Sequence, residues 1–392
     1  RPLVGDEVID DIREVSRKLN GVRICQVNAT SGGGGVAELL ARMVPLYHAL
    51  ALHVDWRIIH GDNEFFTVTK SFHNALQGAA VELTDAVRKE YLDHNRQSAG
   101  MLDGDYDVYI VHDPQPAAVR HFAKRNNDKW IWRCHIDSSE PNLSVWTFLR
   151  PFIEEHDAAV FTMEQFRPPD LKMERIVYIP PAIDPLSTKN MELPYDLCRR
   201  VVADSGLDLR QPILLQVSRF DPWKDPLGVI EAYRLVKEKR PGVQLALVGA
   251  MAGDDPEGWQ ILEMINEQAV KDPDLYVFTN MTGVGNMEVN AFQRGVDLVI
   301  QKSLREGFGL VVSEALWKER PMVAGAAGGI PMQFPTRYES VEGCAERLLY
   351  LLDHPDEARE FGRAGRDHVR QHFLLPHLVR NELRLIHQVL ES

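Results

Sequence analysis

The chain alternates short apolar runs with longer amphipathic stretches, and it does so twice, with a proline-rich break between the two series. In the first series, β-like runs fall at 22–27, 54–59, 106–112, 130–134, 158–162 and 176–179, with a helical stretch at 35–50 and a mixed segment reaching about residue 100. Strands recurring between helices predict βαβ units and a parallel sheet. The rhythm stops at Ile179-Pro180-Pro181-Ala182-Ile183-Asp184-Pro185, and Ser187-Thr188-Lys189-Asn190 continues it as a linker. A second series follows, with strands at 213–217, 244–248, 275–279, 296–300 and 321–324 and helices at 226–238 and 258–270. Two Rossmann-like α/β domains are expected, 1–182 and 183–373, with their parallel sheets facing across a cleft. Residues 374–392 form a separate tail helix, because Leu378, Val379, Leu383, Ile386 and Leu390 recur at helical spacing and Pro376 suits a first turn. A chain of 392 residues is long enough for two such cores.

Charge narrows the partners. With 44 basic and 57 acidic residues the formal net charge is −13, which argues against nucleic acid or an anionic membrane surface. The four cysteines, Cys25, Cys134, Cys198 and Cys344, are far apart, so neither a zinc site nor a disulfide framework is expected, and a cytoplasmic setting fits. The acidic N-terminal residues do not read as a signal peptide, and no run approaches the length of a membrane span. The expected partners are small molecules, with a homodimer as an open alternative.

The most chemically specific segment is Arg305-Glu306-Gly307-Phe308-Gly309-Leu310-Val311-Val312-Ser313-Glu314. It leads from the strand at 296–300 into a helix at 311–318, so unpaired backbone N–H groups and a positive dipole end face whatever sits at the turn. Glu306 in the turn and Glu314 one helical turn further can accept from hydroxyls. An anion at amides beside hydroxyls at carboxylates describes a nucleotide sugar. Cations for a diphosphate come from Ser218-Arg219-Phe220-Asp221-Pro222-Trp223-Lys224, where Arg219 and Lys224 follow the first strand of the second series. In the first series, Ser31-Gly32-Gly33-Gly34-Gly35 lies where the first strand meets the first helix, a second place where backbone can approach a phosphate. His112-Asp113 and Arg133-Cys134-His135-Ile136-Asp137 end two further strands.

Two other chemistries match parts of the sequence. Gly32, Gly34 and Ala37 fit the spacing of a dinucleotide fingerprint, which would make an NAD-dependent oxidoreductase. Asp55, however, begins the second strand, whereas a ribose-binding acid should end it. Asp103-Gly104-Asp105 resembles a metal-binding Asp-x-Asp motif but precedes a strand, on the wrong side of a sheet for a ligand, and reads as a turn. No metal site is expected.

EGFGLVVSE, SRFDPWK, the glycine loop and CHID together resemble the retaining glycosyltransferases of the GT-B fold, the large family that also contains sucrose synthases. HDPQP, WRCHIDSSEPN, YIPPAIDPLSTKN and Thr69-Lys70-x-x-His73-Asn74-x-Leu76-Gln77-Gly78 look like the trehalose glycosyltransferring synthases within it. The resemblance implies a glucosyltransferase that joins an NDP-glucose (UDP-, ADP- or GDP-glucose) to free glucose, with retention, possible reversibility and no required cofactor. It makes 1–182 the acceptor domain and 183–373 the donor domain, with the tail helix crossing back to the first. It implies that Glu306, with the amides of Gly307, Phe308, Gly309 and Leu310, holds the donor sugar or phosphate. Glu314 takes the ribose, Arg219 and Lys224 the diphosphate, and Gly34 and Gly35 close over it. His135 contacts the donor glucose near its 6-hydroxyl and anomeric carbon, and Lys70, His73, Asn74, Asp113 and Asp137 are the acceptor candidates. A trehalose phosphorylase of the same family is the nearest alternative, and a sugar-nucleotide sensor without catalysis another. The chain departs from the family after Gln333, where Phe334-Pro335-Thr336-Arg337-Tyr338 replaces a longer Asp-Gly-containing loop.

Overall fold

A computed structural model of the protein describes residues 2–32, 35–102, 104–123, 128–251, 256–333 and 340–392. The chain divides into two compact units, 1–182 with 375–392, and 183–374. Each is a parallel sheet with helices on both faces.

The first unit holds β1 (Arg23–Asn28), β2 (His53–Ile58), β3 (Val108–His112), β4 (Lys129–Arg133), β5 (Ala158–Phe161) and β6 (Ile176–Tyr178) in the order β2-β1-β3-β4-β5-β6. Every neighbouring pair is parallel. Because side chains alternate across a strand, Cys25, Val27, Tyr109, Val111, Trp130 and Trp132 fill the core on one face, and Ile24, Val108, Ile110 and Ile131 the core on the other. That second core receives the tail helix Leu375–Leu390, which buries Leu378, Val379, Leu383, Ile386 and Val389. Each such side chain contributes roughly 1.5–3 kcal/mol of burial. The mixed segment before residue 100 resolves into helices Asn63–Leu76 and Asp85–Met101, started by Asp62 accepting from the Phe65 N–H and Thr84 from the Val87 N–H.

The second unit holds β7 (Ile213–Val217), β8 (Gln244–Gly249), β9 (Leu275–Thr279), β10 (Leu298–Gln301) and β11 (Met322–Ala324), all parallel, in the order β11-β10-β7-β8-β9. β10 begins later than the expected 296 because Val296 still closes the preceding helix on the Phe292 carbonyl. The expected linker at 187–190 is not loose chain. Asn290 Nδ2 donates to the Thr188 and Met191 carbonyls, and Arg294 to those of Asn190 and Met191. The departure at 334–338 lies outside the described residues. Among the described residues no helix is long and apolar enough to cross a membrane.

In both sheets the strand order reverses beside the first strand, between β1 and β3 and between β7 and β10. Open α/β sheets bind ligands at such points, beyond the carboxyl ends of the strands.

Candidate active site

Beyond β10, Gly309 adopts φ 83° as the N-cap of the helix Leu310–Trp317. Glycine takes this left-handed conformation without the steric cost a Cβ imposes. The turn is pressed into shape by a second glycine pair. A Cβ on Gly328 would stand 1.6 Å from the Glu306 carbonyl oxygen, and Gly329 N–H donates to the Gly307 carbonyl at 3.0 Å. The buried Gln333 amide donates to the Phe308 carbonyl and accepts from Ser313 Oγ. The turn therefore spends its carbonyls inward. Among the described residues the amides of Gly307, Phe308, Gly309 and Leu310 have no acceptor, although Phe308 and Gly309 are buried. Unsatisfied donors at a helix N-terminus suit an anion.

The loop after β7 meets this turn. Asp221 caps the short 3-10 turn Pro222–Lys224, Gln216 Nε2 donates to the Lys224 carbonyl at 2.8 Å, and Leu304 N–H donates to the Trp223 carbonyl at 2.8 Å. Lys224 Nζ is thereby set 2.7 Å from Glu306 Oε2, which also accepts from Ser303 Oγ at 3.2 Å. Arg219 is different: its side chain is 67% exposed, with Asp221 at 3.3 Å. Glu314 is buried one turn into the helix, 3.5 Å from Lys189.

Sequence reasoning passed over Lys318. Its buried ammonium donates to Asn190 Oδ1, Gln293 Oε1 and the Glu314 carbonyl at 2.7–3.1 Å. Burial pushes its pKa down to about 7.

In the first unit Asp113 follows β3 in the left-handed region, φ 64°, and its Oδ1 accepts the His135 N–H at 2.8 Å. Burial raises the Asp113 carboxyl to about 7, against the opposing pull of that N–H and of Arg133. His135 is half-buried, with Nε2 2.9 Å from His112 Nδ1. Burial, Arg133 and His112 hold its pKa well below the usual imidazole value. Asp137 is half-buried and accepts from Ser139 Oγ. Lys70, His73 and Asn74 share the C-terminal half of the helix Asn63–Leu76, with Lys70 and Asn74 exposed. Gly35 is the first residue of the helix Gly35–Ala49. Gly34 lies outside the described residues, as does Asp103 of the rejected Asp-x-Asp turn. Asp55 accepts from Tyr106 Oη at 2.6 Å within β2, not beyond its carboxyl end. Asp62, Glu90 and His94 could offer ligand atoms to a metal, and are paired among themselves, His94 with Glu90 at 3.0 Å and with Asp62 at 3.7 Å.

Comparison with known proteins agrees with this architecture. Residues 26–168 match the family model described as trehalose synthase, N-terminal domain, and residues 200–368 match glycosyl transferases group 1. The trehalose synthase of Rubrobacter xylanophilus is 51% identical over all of this chain and 96% of its own length. That of Thermococcus litoralis is 46% identical over 96% of this chain and 92% of its own. A solved trehalose-6-phosphate synthase shares the fold, with TM-score 0.74 and 15% identity, covering 94% of this chain and 99% of that one. Two Rossmann-like units, each with a parallel sheet, together with these matches define a glycosyltransferase of the GT-B class. Within that class the chain belongs to the trehalose synthase family.

Proposed function

We propose that the protein makes α,α-trehalose from NDP-glucose and free glucose, with retention at the anomeric carbon. The observation that carries this is the set of acceptor-less amides at Gly307 to Leu310 beside the Lys224–Glu306 pair. Membership of the trehalose synthase family supplies the sugar. The amides and Lys224 meet the sugar diphosphate, Glu306 accepts from the transferred glucose, and Glu314 accepts from the ribose. Arg219 and Lys224 neutralise the charge that grows on the diphosphate as the glycosidic bond breaks, so the reading needs no metal. His135 contacts the transferred glucose, and Asp113, Asp137, Lys70, His73 and Asn74 serve the acceptor. No carboxylate takes the role of covalent nucleophile. The C1–O bond to the diphosphate breaks, a C1–O bond to the acceptor forms on the same face, and the acceptor proton goes to the departing diphosphate oxygen. The four cysteines are buried and none is in a disulfide, which supports a reducing, cytoplasmic setting.

Incubation with glucose and each of UDP-, ADP- and GDP-glucose tests the reading, with trehalose and NDP measured together. Equimolar trehalose and NDP, retained in EDTA, is expected. Trehalose formed only from glucose 1-phosphate, with release of phosphate, would instead identify a phosphorylase and leave Glu314 without a ribose.

A further inference from the structure

On the sheet face that packs the tail helix, the alternation that buries Ile24, Ile110 and Ile131 also places Gln26, His112 and Arg133. The tail helix sets Glu382 among its buried leucines against them. Arg133 Nη1 is 2.5 Å from Glu382 Oε2, while Tyr47 Oη at 2.6 Å and Gln26 Nε2 at 2.8 Å both donate to Glu382 Oε1. An ionised carboxylate only accepts. The amide nitrogen of Gln26 must therefore face it, and Gln26 Oε1 faces His112 Nε2 at 2.7 Å. An amide oxygen also only accepts, so His112 carries its proton on Nε2. Burial and the charge of Arg133 keep His112 neutral, which leaves its Nδ1 bare. The partner of that bare nitrogen, His135 Nε2 at 2.9 Å, must then be the donor. His135 is neutral for the same reasons. Its Nδ1 has no partner among the described residues.

We propose that Glu382, acting through Gln26 and His112, is a positioning residue that fixes His135 as the Nε2–H tautomer and presents the Nδ1 lone pair to the substrate. Anchoring the tail helix needs only Arg133 and Tyr47. The branch through Gln26 and His112 leads instead to the partly buried His135 ring just past the carboxyl end of β4. The proposal rests on the reading that His135 touches the transferred glucose. There, the tautomer sets which end of the imidazole dipole faces the anomeric carbon, where positive charge develops as the diphosphate leaves. A lone pair stabilises that charge and an N–H opposes it. A sugar hydroxyl can donate or accept, so ground-state binding is nearly indifferent to the choice. The relay acts on kcat, not on KM.

Glu382→Gln inverts the relay. Arg133 offers only donors, so the new amide turns its oxygen to Arg133 and its NH2 to Gln26. Gln26 flips, His112 becomes the Nδ1–H tautomer, and His135 is driven to Nδ1–H. Nitrogen-15 spectra of histidine-labelled protein without substrate, with the His135 signals assigned from His135→Asn, read the tautomer directly. The expected result is Nε2–H in the unaltered protein and Nδ1–H in Glu382→Gln, with kcat down on the order of tenfold and donor KM little changed. Should Glu382→Gln fail to fold, Gln26→Met keeps the Arg133–Glu382–Tyr47 cluster and should give a mixture of both tautomers. A His135 proton on Nδ1 in the unaltered protein, or an unchanged tautomer in the variant that folds, overturns the relay. An inverted tautomer with kcat unchanged overturns its role in transfer. An inverted tautomer in a protein that transfers glucose from no NDP-glucose supports the relay and overturns the proposed function instead.

Discussion

The two units place their candidate sites at equivalent points of their sheets and build them from opposite materials. Around the ends of β3 and β4 the first unit uses groups in fixed hydrogen bonds: two imidazoles held neutral, an amide and a carboxyl raised to about 7, with the charged Arg133–Glu382 pair kept behind them in the core. The second uses charges near the surface, Lys224 on Glu306 and a largely exposed Arg219, around amides that lack acceptors. A site for hydroxyls profits from fixed orientation, because a hydroxyl is recognised by direction. A site for a diphosphate profits from charge already in place where negative charge will grow. The contrast predicts that substitutions in the second unit act through charge and those in the first through protonation and orientation.

The largest expected effect is that of Arg219→Ala. Removal of one stabiliser of transition-state charge costs about 10²–10³ in kcat. The side chain is mostly solvent-exposed, so thermal unfolding should stay where it is. A fall in kcat accompanied by a lower melting temperature would show that Arg219 is structural and blur the contrast. Glu314→Ala comes next. Loss of hydrogen bonds to a charged group costs about 1.5–3 kcal/mol, so donor KM should rise roughly 10- to 100-fold with kcat largely kept. Steady-state kinetics showing the loss in kcat alone would remove Glu314 from ribose binding.

The sequence carried the contrast unevenly. Strands and helices were legible because apolar runs keep their period whatever they pack against, and the glycine-bounded turn was legible because Gly309 is demanded by local backbone, whereas the packing of Gly328 on Glu306 was not. That Lys224 and Glu306 both lie beyond strand ends was legible, but their pairing across 82 residues was not. Gln26 and Glu382 were not legible, for each is a single polar residue inside an apolar stripe, 356 positions apart, and only the sheet face brings them together. The available signal was the polar residue itself, at a position whose neighbours two places along the strand are buried. Lys318 was missed for the same reason. A lysine near a helix end reads as solvated until Asn190 and Gln293 are placed around it.

The smallest effects, per unit of pH, give the two units opposite signs. Asp113 has its pKa raised by burial from 3.8 to about 7. The folded state therefore holds this proton more tightly than the unfolded chain, and the associated stability is present at low pH and lost as pH rises toward about 7. Lys318 has its pKa lowered by burial from 10.5 to about 7. Its contribution is present above the unfolded pKa and lost as pH falls from there through about 7. Each slope is at most about 1.4 kcal/mol per pH unit within its own window. Urea unfolding between about pH 5 and 6 should show Asp113→Asn losing the falling slope, and between about pH 8 and 9 Lys318→Gln should lose the rising one. The neutral replacements keep hydrogen-bonding groups in place, so the slope and not the absolute stability is the measure. If Asp113→Asn left the acidic slope unchanged, Asp113 would be ionised in the folded protein. The ends of β3 and β4 would then hold a charge, and the contrast between that cluster and the charged second unit would fail.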